Sequence, residues 1–330
     1  MRGRRVLVSG MGSELGSLVA LQLESEPWVG ALEGIDVDPP RRRLRKATFH
    51  RIDPTDRGRV LDTVTRFDPH VLIHVAMWEP DARVHTTRAR ELTESAAVSI
   101  LGAAAECPSL QHIVVRSAAE VYGRRRGSPT RPDESGAVDP TSEFGRIAAA
   151  LEATAATAAS RVGVTAAAVR LAPVVGPHVP SPLGRLLRLP GVPFSVLADP
   201  PFAVVRDNDA AQALVAAARV GLDGPVNVTS PGAITAWQAI LRGRRLPIPL
   251  VGPEWAIARR ISLLFGAPIP DHVAETLHRG RLIDGGRAET LIGFAPTTTT
   301  AEVIDSLYAW PSVIRVSAGV GMNETGSVAS

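Results

Sequence analysis

The chain has 330 residues, a formal net charge of +3 and 45% hydrophobic residues, which is ample for a globular core and longer than one compact core usually serves, so one large and one smaller domain are expected. No apolar run reaches the roughly 18 residues of a membrane span, and the single cysteine, Cys107, excludes an internal disulfide and is consistent with a cytoplasmic protein. The basic charge is almost all arginine, with Lys46 the only lysine; no aromatic residues interleave with Arg41–Arg43 or Arg124–Arg126, so these runs read as solvated loops and nucleic-acid binding is not expected.

In chain order, Val6–Ser9 is a short apolar strand, followed by Gly10, Gly12 and Gly16. Leu15, Leu18, Val19 and Leu23 then recur at helical spacing, so the glycine turn opens a helix over Ser13–Glu24. Glycines there let backbone N–H groups approach a pyrophosphate at the positive end of the new helix. A second strand, Ala31–Asp36, ends in an acid 20 residues after Gly16, where a dinucleotide fold places the group that binds the adenosine ribose hydroxyls. Strands at Thr48–Ile52, Val71–Val75, His112–Arg116 and Thr165–Leu171 alternate with helices at Arg57–Arg66, Thr86–Glu106 and Ser142–Arg161. That alternation predicts an α/β fold, a Rossmann-type doubly wound parallel sheet over residues 1–176. Prolines crowd 173–201 and the alternation stops, so 177–314 is mostly a smaller C-terminal substrate-side lobe, returning to the sheet at about 202–206 and 225–229. Residues 315–330 are small and polar without periodicity and read as a disordered tail. H-E-x-x-H, C-x-x-C and G-x-S-x-G are all absent, so neither a metal site nor a hydrolase is expected.

Several segments carry a resemblance. They are Asp53 in RIDPTD, Asp68-Pro-His-Val-Leu-Ile-His74-Val-Ala76, Ser117-Ala-Ala-Glu-Val-Tyr-Gly123, Arg170-Leu-Ala-Pro-Val-Val-Gly-Pro177, Val205-Arg-Asp-Asn-Asp-Ala-Ala211 with Asp209 as the aligned acid, and Pro225-Val-Asn-Val228. In this order they resemble the extended short-chain dehydrogenase/reductases, the NAD-dependent epimerase/dehydratase family, over about residues 5–300. The resemblance implies dinucleotide contacts at Gly10, Gly12, Ser13, Leu15, Gly16, Asp36, Asp53, His74, Ala76, Ser117 and Pro173. NAD is expected over NADP, because Asp36 repels a 2′-phosphate; Arg41–Arg43 is the counter-argument. A nucleotide-sugar ligand is implied as well, and the alanine-rich face of the helix at 142–161 implies a homodimer.

The departures matter most. The family's G-x-x-G-x-x-G register here gives Gly10, Ser13, Gly16, and a side chain at 13 either hydrogen-bonds a phosphate or crowds it. Family enzymes use a tyrosine as acid/base, a lysine four residues later to lower its pKa, and a Ser or Thr on the same substrate oxygen. Those positions hold Phe144, Ala148 and Ala118, with Ser117 one place off. The only tyrosines are Tyr122 and Tyr308, and no Tyr-x-x-x-Lys exists. Glu120 stands where dehydratase relatives carry a catalytic glutamate, without the preceding aspartate. The expectation is a dinucleotide-binding sensor, regulator or scaffold without the family's usual oxidoreductase chemistry. The alternatives are an epimerase, dehydratase or reductase using substitute groups such as Glu120, or a cofactor-free interaction protein if Ser13 blocks the phosphate. Exchanging Phe144 and Ala148 back to Tyr and Lys is expected to be sterically tolerated.

Overall fold

A computed structural model describes residues 3–81, 84–250 and 269–310; the tail at 315–330 lies outside the described residues. β1 (Arg4–Ser9) runs through the middle of the protein, with Val6, Leu7 and Val8 fully buried. Each such side chain contributes about 1.5–3 kcal/mol relative to exposure. α1 (Glu14–Leu23), β2 (Val29–Asp36), β3 (Thr48–Arg51), α2 (Arg57–Phe67), β4 (Val71–His74), α3 (Thr86–Ala104), β5 (His112–Ala118), a turn of 3-10 helix (Ala119–Tyr122), α4 (Glu143–Val162) and β6 (Thr165–Leu171) follow. With β10 (Gly224–Val228) they build a seven-stranded sheet in the order β10-β6-β5-β4-β1-β2-β3, parallel throughout. All four residues of β4 are buried, as expected of a parallel strand covered on both faces. The helices stop where the sequence dictates. Ser142 caps α4 by accepting from the Gly145 N–H at 3.2 Å, and Gly163 ends it in the left-handed conformation at φ 72°.

The C-terminal half differs from expectation in two ways. Gly224–Val228 does join the sheet beside β6. The 202–206 segment does not: β9 (Val205–Arg206) pairs instead with β7 (Val174–Val175) in a separate two-stranded ladder, and Phe202 makes single bridges to Ile234 and Arg281. The edge beside β6 is already taken by β10, and α6 (Asp207–Val220) begins directly after Arg206. The second difference is that more of the half belongs to the large core than two strands. The buried Ala210, Ala211, Leu214 and Ala217 of α6, and Ile283, Ala288 and Ile292 around α9 (Ala288–Ile292), pack into the core of the main sheet. A second hydrophobic cluster joins α5 (Pro182–Leu187), β8 (Gly191–Ser195), α7 (Ala236–Arg242), α8 (Asp271–Arg279) and α10 (Thr300–Ala309) around Phe202; β8 is also paired with β11 (Leu246–Leu250). Among the described residues no helix is long and apolar enough to cross a membrane.

Candidate functional site

The strand order reverses between β1 and β4, and in open α/β sheets ligands bind at the carboxyl ends of the strands beside that point. Gly10 sits there with φ +85°, and a Cβ on it would lie 2.7 Å from the Ala76 nitrogen, so only glycine fits. A Cβ on Gly16 would lie 2.0 Å from the Gly10 carbonyl oxygen, which is the close helix–strand approach a dinucleotide turn needs. The Ser13 hydroxyl is turned into the loop rather than toward a ligand. It donates to the Gly10 carbonyl at 2.8 Å and accepts from the Gly16 N–H at 3.0 Å, capping α1. The first helical bond runs from Ser17 N–H to the Ser13 carbonyl at 2.9 Å, so the amides of Glu14 and Leu15 precede the ladder and are the first-turn donors for an anion.

At the end of β2, Asp36 accepts from the Gly12 N–H at 2.8 Å and from the Val37 N–H at 2.7 Å. A third, longer bond comes from the Asp38 N–H at 3.5 Å, and acceptor capacity is left for ribose hydroxyls. Burial raises its pKa, against these backbone bonds. Glycine turn, free first-turn amides and Asp36 thus fit a dinucleotide. Glu14 does not: it is 3% exposed in the first turn of α1, where its charge opposes a phosphate, and it is held by Arg42, whose Nε donates to Oε1 at 3.0 Å. Asp53 is exposed, with Oδ1 bonded to the Thr55 N–H and hydroxyl at 2.8 and 2.7 Å, which lowers its pKa. His74 is fully buried, 3.1 Å from the Ser9 hydroxyl, and burial pushes its pKa down to about 4, so the ring is neutral. Asp209 binds Thr297 and Thr298, at 2.7 and 3.1 Å from their hydroxyls, and holds the loop before α10.

The chemistry positions converge at the end of β5. Ala118, Phe144, Glu120, Ser117 and Pro173 line an interior cavity of about 20 Å³. That volume holds one water and no sugar ring. Ala148 is fully buried, so a lysine in its place would have to displace its neighbours. Charged residues that no sequence motif marks fill the space. His272, near the start of α8, stacks on Phe144 with ring centroids 4.9 Å apart, and its Nε2 lies 2.9 Å from Glu79. Burial opposes its charge, but Asp271 at 3.7 Å and Glu79 outweigh it and raise the pKa to about 9. Glu120, 2% exposed, lies 3.8 Å from Arg281, which also pairs with Glu275 at 2.6 Å. Burial lowers the pKa of Arg116 beside them, against the attraction of Glu79 and Glu120.

Neither tyrosine reaches this cavity. Tyr122 donates to Asn227 at 2.7 Å and accepts from Arg170 at 2.9 Å, and Arg170 pairs with Glu152 at 2.7 Å. Ser117 bonds the same Glu152, so its hydroxyl belongs to this buried network. Tyr308 donates to the Ala239 carbonyl at 2.8 Å in the smaller lobe. Lys46 is bound to the Glu24 carbonyl at 2.7 Å, at the other end of α1 from the glycine turn. In the run Arg124–Arg126, Arg125 and Arg126 are exposed as expected, but Arg124 is only 7% exposed, because its guanidinium bonds the carbonyls of Gly280, Pro129 and Leu282.

The family model of the NAD-dependent epimerase/dehydratase family matches residues 6–189. Uncharacterized proteins of Mycobacterium tuberculosis and Mycobacterium bovis are each 27% identical over 312 residues, covering 92% of this chain and 83% of theirs. Among solved structures, the UDP-glucose 4-epimerase of Thermotoga maritima with UDP-glucose is similar at a TM-score of 0.70 and 15% identity, over 93% of this chain and 98% of that one. MoeE5 in complex with UDP-glucuronic acid and NAD is similar at 0.72 and 20%, over 93% and 98%. The UDP-glucose 4-epimerase of Brucella ovis in complex with NAD is similar at 0.72 and 17%, over 93% and 97%. At these identities the likeness to solved structures is one of fold.

Proposed function

The chain belongs to the NAD-dependent epimerase/dehydratase family, and from that premise we propose that it is a dinucleotide-binding protein without the family's usual hydride and proton chemistry, acting as a sensor, regulator or scaffold. The observation that carries this is the interior site: Phe144 and Ala148 stand where the resemblance puts the phenol and amine, and Phe144, Glu120 and the His272–Glu79 pair line a space of only about 20 Å³. NAD is the ligand, as in the solved neighbours that hold it. Bound, it would supply a hydride acceptor. Asp36 would accept from the adenosine ribose hydroxyls, and the Glu14 and Leu15 amides would face the diphosphate, with Arg42 neutralising the Glu14 carboxylate. Asp36 repels a 2′-phosphate, so NAD is preferred over NADP. The setting is cytoplasmic. The half-exposed alanine face of α4 is where a second copy packs, giving a homodimer that light scattering in solution tests.

The test has two parts. Calorimetric titration with both dinucleotides should show NAD binding, the tighter of the two. Incubation with NAD and UDP-sugars, followed by absorbance and product chromatography, should show no turnover above background. A specific observation favours one other reading, a rebuilt enzyme acting on a nucleotide sugar: Glu120 lines the interior cavity with one cation 3.8 Å away. Native turnover abolished in Glu120→Gln would establish that reading in place of the first.

A further inference from the structure

The interior cavity lies between the two lobes. Ser117, Ala118 and Pro173 face it from the carboxyl ends of β5 and β6, and Leu183 of α5 with His272 and Val273 of α8 face it from the smaller lobe. Two ion pairs tie these walls together. Glu79, beyond β4, meets His272 Nε2 at 2.9 Å, and Glu120, in the turn after β5, lies 3.8 Å from Arg281 Nε. Arg185 of α5 meets Asp81 at 2.6 Å, and neither of these lines the cavity. The junction is not fully bonded. Arg116 Nε, Arg185 Nε, Arg281 Nε and His272 Nδ1 are all buried there without a hydrogen-bond partner; Asp271 stands 3.7 Å from that His272 nitrogen. Each such atom forgoes a bond that water would make, so the closed junction is held by its ion pairs against an unmet cost.

A dinucleotide spans both halves of a doubly wound sheet, across the point where the strand order reverses. With its adenosine ribose at Asp36, on the β2 side of β1, its second nucleoside extends over the carboxyl ends on the other side, toward β4 and β5. The space there is the cavity of about 20 Å³, enough for one water. A nicotinamide ring cannot enter unless the walls part. The sheet wall is fixed, since Ala118 and Phe144 belong to the main core; the smaller lobe has an apolar cluster of its own and is the wall free to move. We propose that the His272–Glu79 and Arg281–Glu120 pairs are an autoinhibitory latch, which holds the smaller lobe over the second-nucleoside end of the dinucleotide site and opens when a whole dinucleotide binds. The latch rests on the dinucleotide reading and supplies its regulation: the ligand is sensed as movement of one lobe against the other. A ligand shifts such an equilibrium only through different affinities for the two states. NAD has that difference, because only the open state has room for its second nucleoside. ADP ends at the diphosphate and fits both states.

Calorimetric titration of the full-length protein with NAD and, separately, with ADP tests the latch in the native protein and in Glu79→Gln. That exchange keeps the size of the side chain, so it weakens the latch without making room. NAD should bind about fivefold tighter or more to Glu79→Gln than to the native protein, and ADP equally to both. By reciprocity, saturating NAD should narrow the gap in melting temperature between the two proteins, and saturating ADP should leave it unchanged. An ion pair with a purely structural role would lower the melting temperature of the variant and leave the ratio of NAD to ADP affinity alone. Should Glu79→Gln fail to fold, His272→Gln, of similar volume, takes its place with the same expectations. ADP binding in both proteins, with NAD binding no tighter in the variant, would overturn the latch and leave the dinucleotide reading standing. So would an equal gain for ADP, which would put the effect outside the cavity. Failure of both nucleotides to bind either protein would remove the dinucleotide reading and the latch with it.

Discussion

Ala148 has no exposed surface, and Phe144 packs its ring on that of His272. A lysine at 148 would overfill the site, at about 1–3 kcal/mol, and bury an ammonium whose desolvation adds to that. Urea unfolding of Ala148→Lys should therefore show a loss on the order of 3 kcal/mol or more, and an unchanged midpoint would contradict the burial argument. At the glycine turn, Ser13→Asp retains the acceptor for the Gly16 N–H, so the apo melting temperature should move little. Its charge faces the diphosphate, so thermal stabilisation by NAD should vanish; persisting stabilisation would remove this turn from the dinucleotide site. At Asp36 the expected preference for NAD over NADP is at least tenfold in calorimetry. Asp36→Ala should narrow it, because Arg42 is committed to Glu14 and the remaining selectivity rests on the carboxylate. Tighter NADP binding by the native protein would refute the assignment of Asp36.

α1 and α4 were legible because cap, periodicity and stop coincide within each: Ser13 opens the first, and Ser142 and Gly163 bound the second. α8 carried no comparable signal for its role. Its His272 meets Glu79 across 193 residues of sequence, and neither lies in a motif, so only folding brings the pair together. The 202–206 segment was misassigned for a related reason: its apolar run specifies a strand but not which ladder has a free edge. The missing phenol and amine, by contrast, needed no structure, since a residue type absent from the aligned positions is visible in sequence alone. α8 also makes stability depend on pH. The His272 pKa, about 9 in the fold, lies above an unfolded value near ~6.5. The charged ring therefore contributes fully below about pH 6.5, and the contribution is lost as pH rises through about 9, on the order of 3 kcal/mol in all. Urea unfolding at stepped pH should show this decline, and His272→Gln should flatten it. An equally steep decline in the variant would assign the effect to other groups.

Two hydrophobic clusters, one on the parallel sheet and one around Phe202, are bridged by charged side chains. Glu79 meets His272 at 2.9 Å, Asp81 meets Arg185 at 2.6 Å, and Arg281 joins Glu120 of the sheet side to Glu275 of α8 at 3.8 and 2.6 Å. Glu79, His272 and Glu120 of these bridges line the cavity where the family resemblance puts chemistry, so the lobes are joined by charge at that place. The native protein should then unfold in a single calorimetric transition. Removing one partner of a buried pair typically costs ~3–5 kcal/mol, because a charge is left unpaired. Arg281→Met should thus lower the melting temperature sharply and split the transition, since each lobe keeps its own apolar core. Adding Glu120→Gln and Glu275→Gln to Arg281→Met should recover most of the loss and restore one transition if unpaired charge is the cause. If the triple variant stays as unstable as Arg281→Met, the arginine acts through packing and the electrostatic bridge between the lobes is refuted.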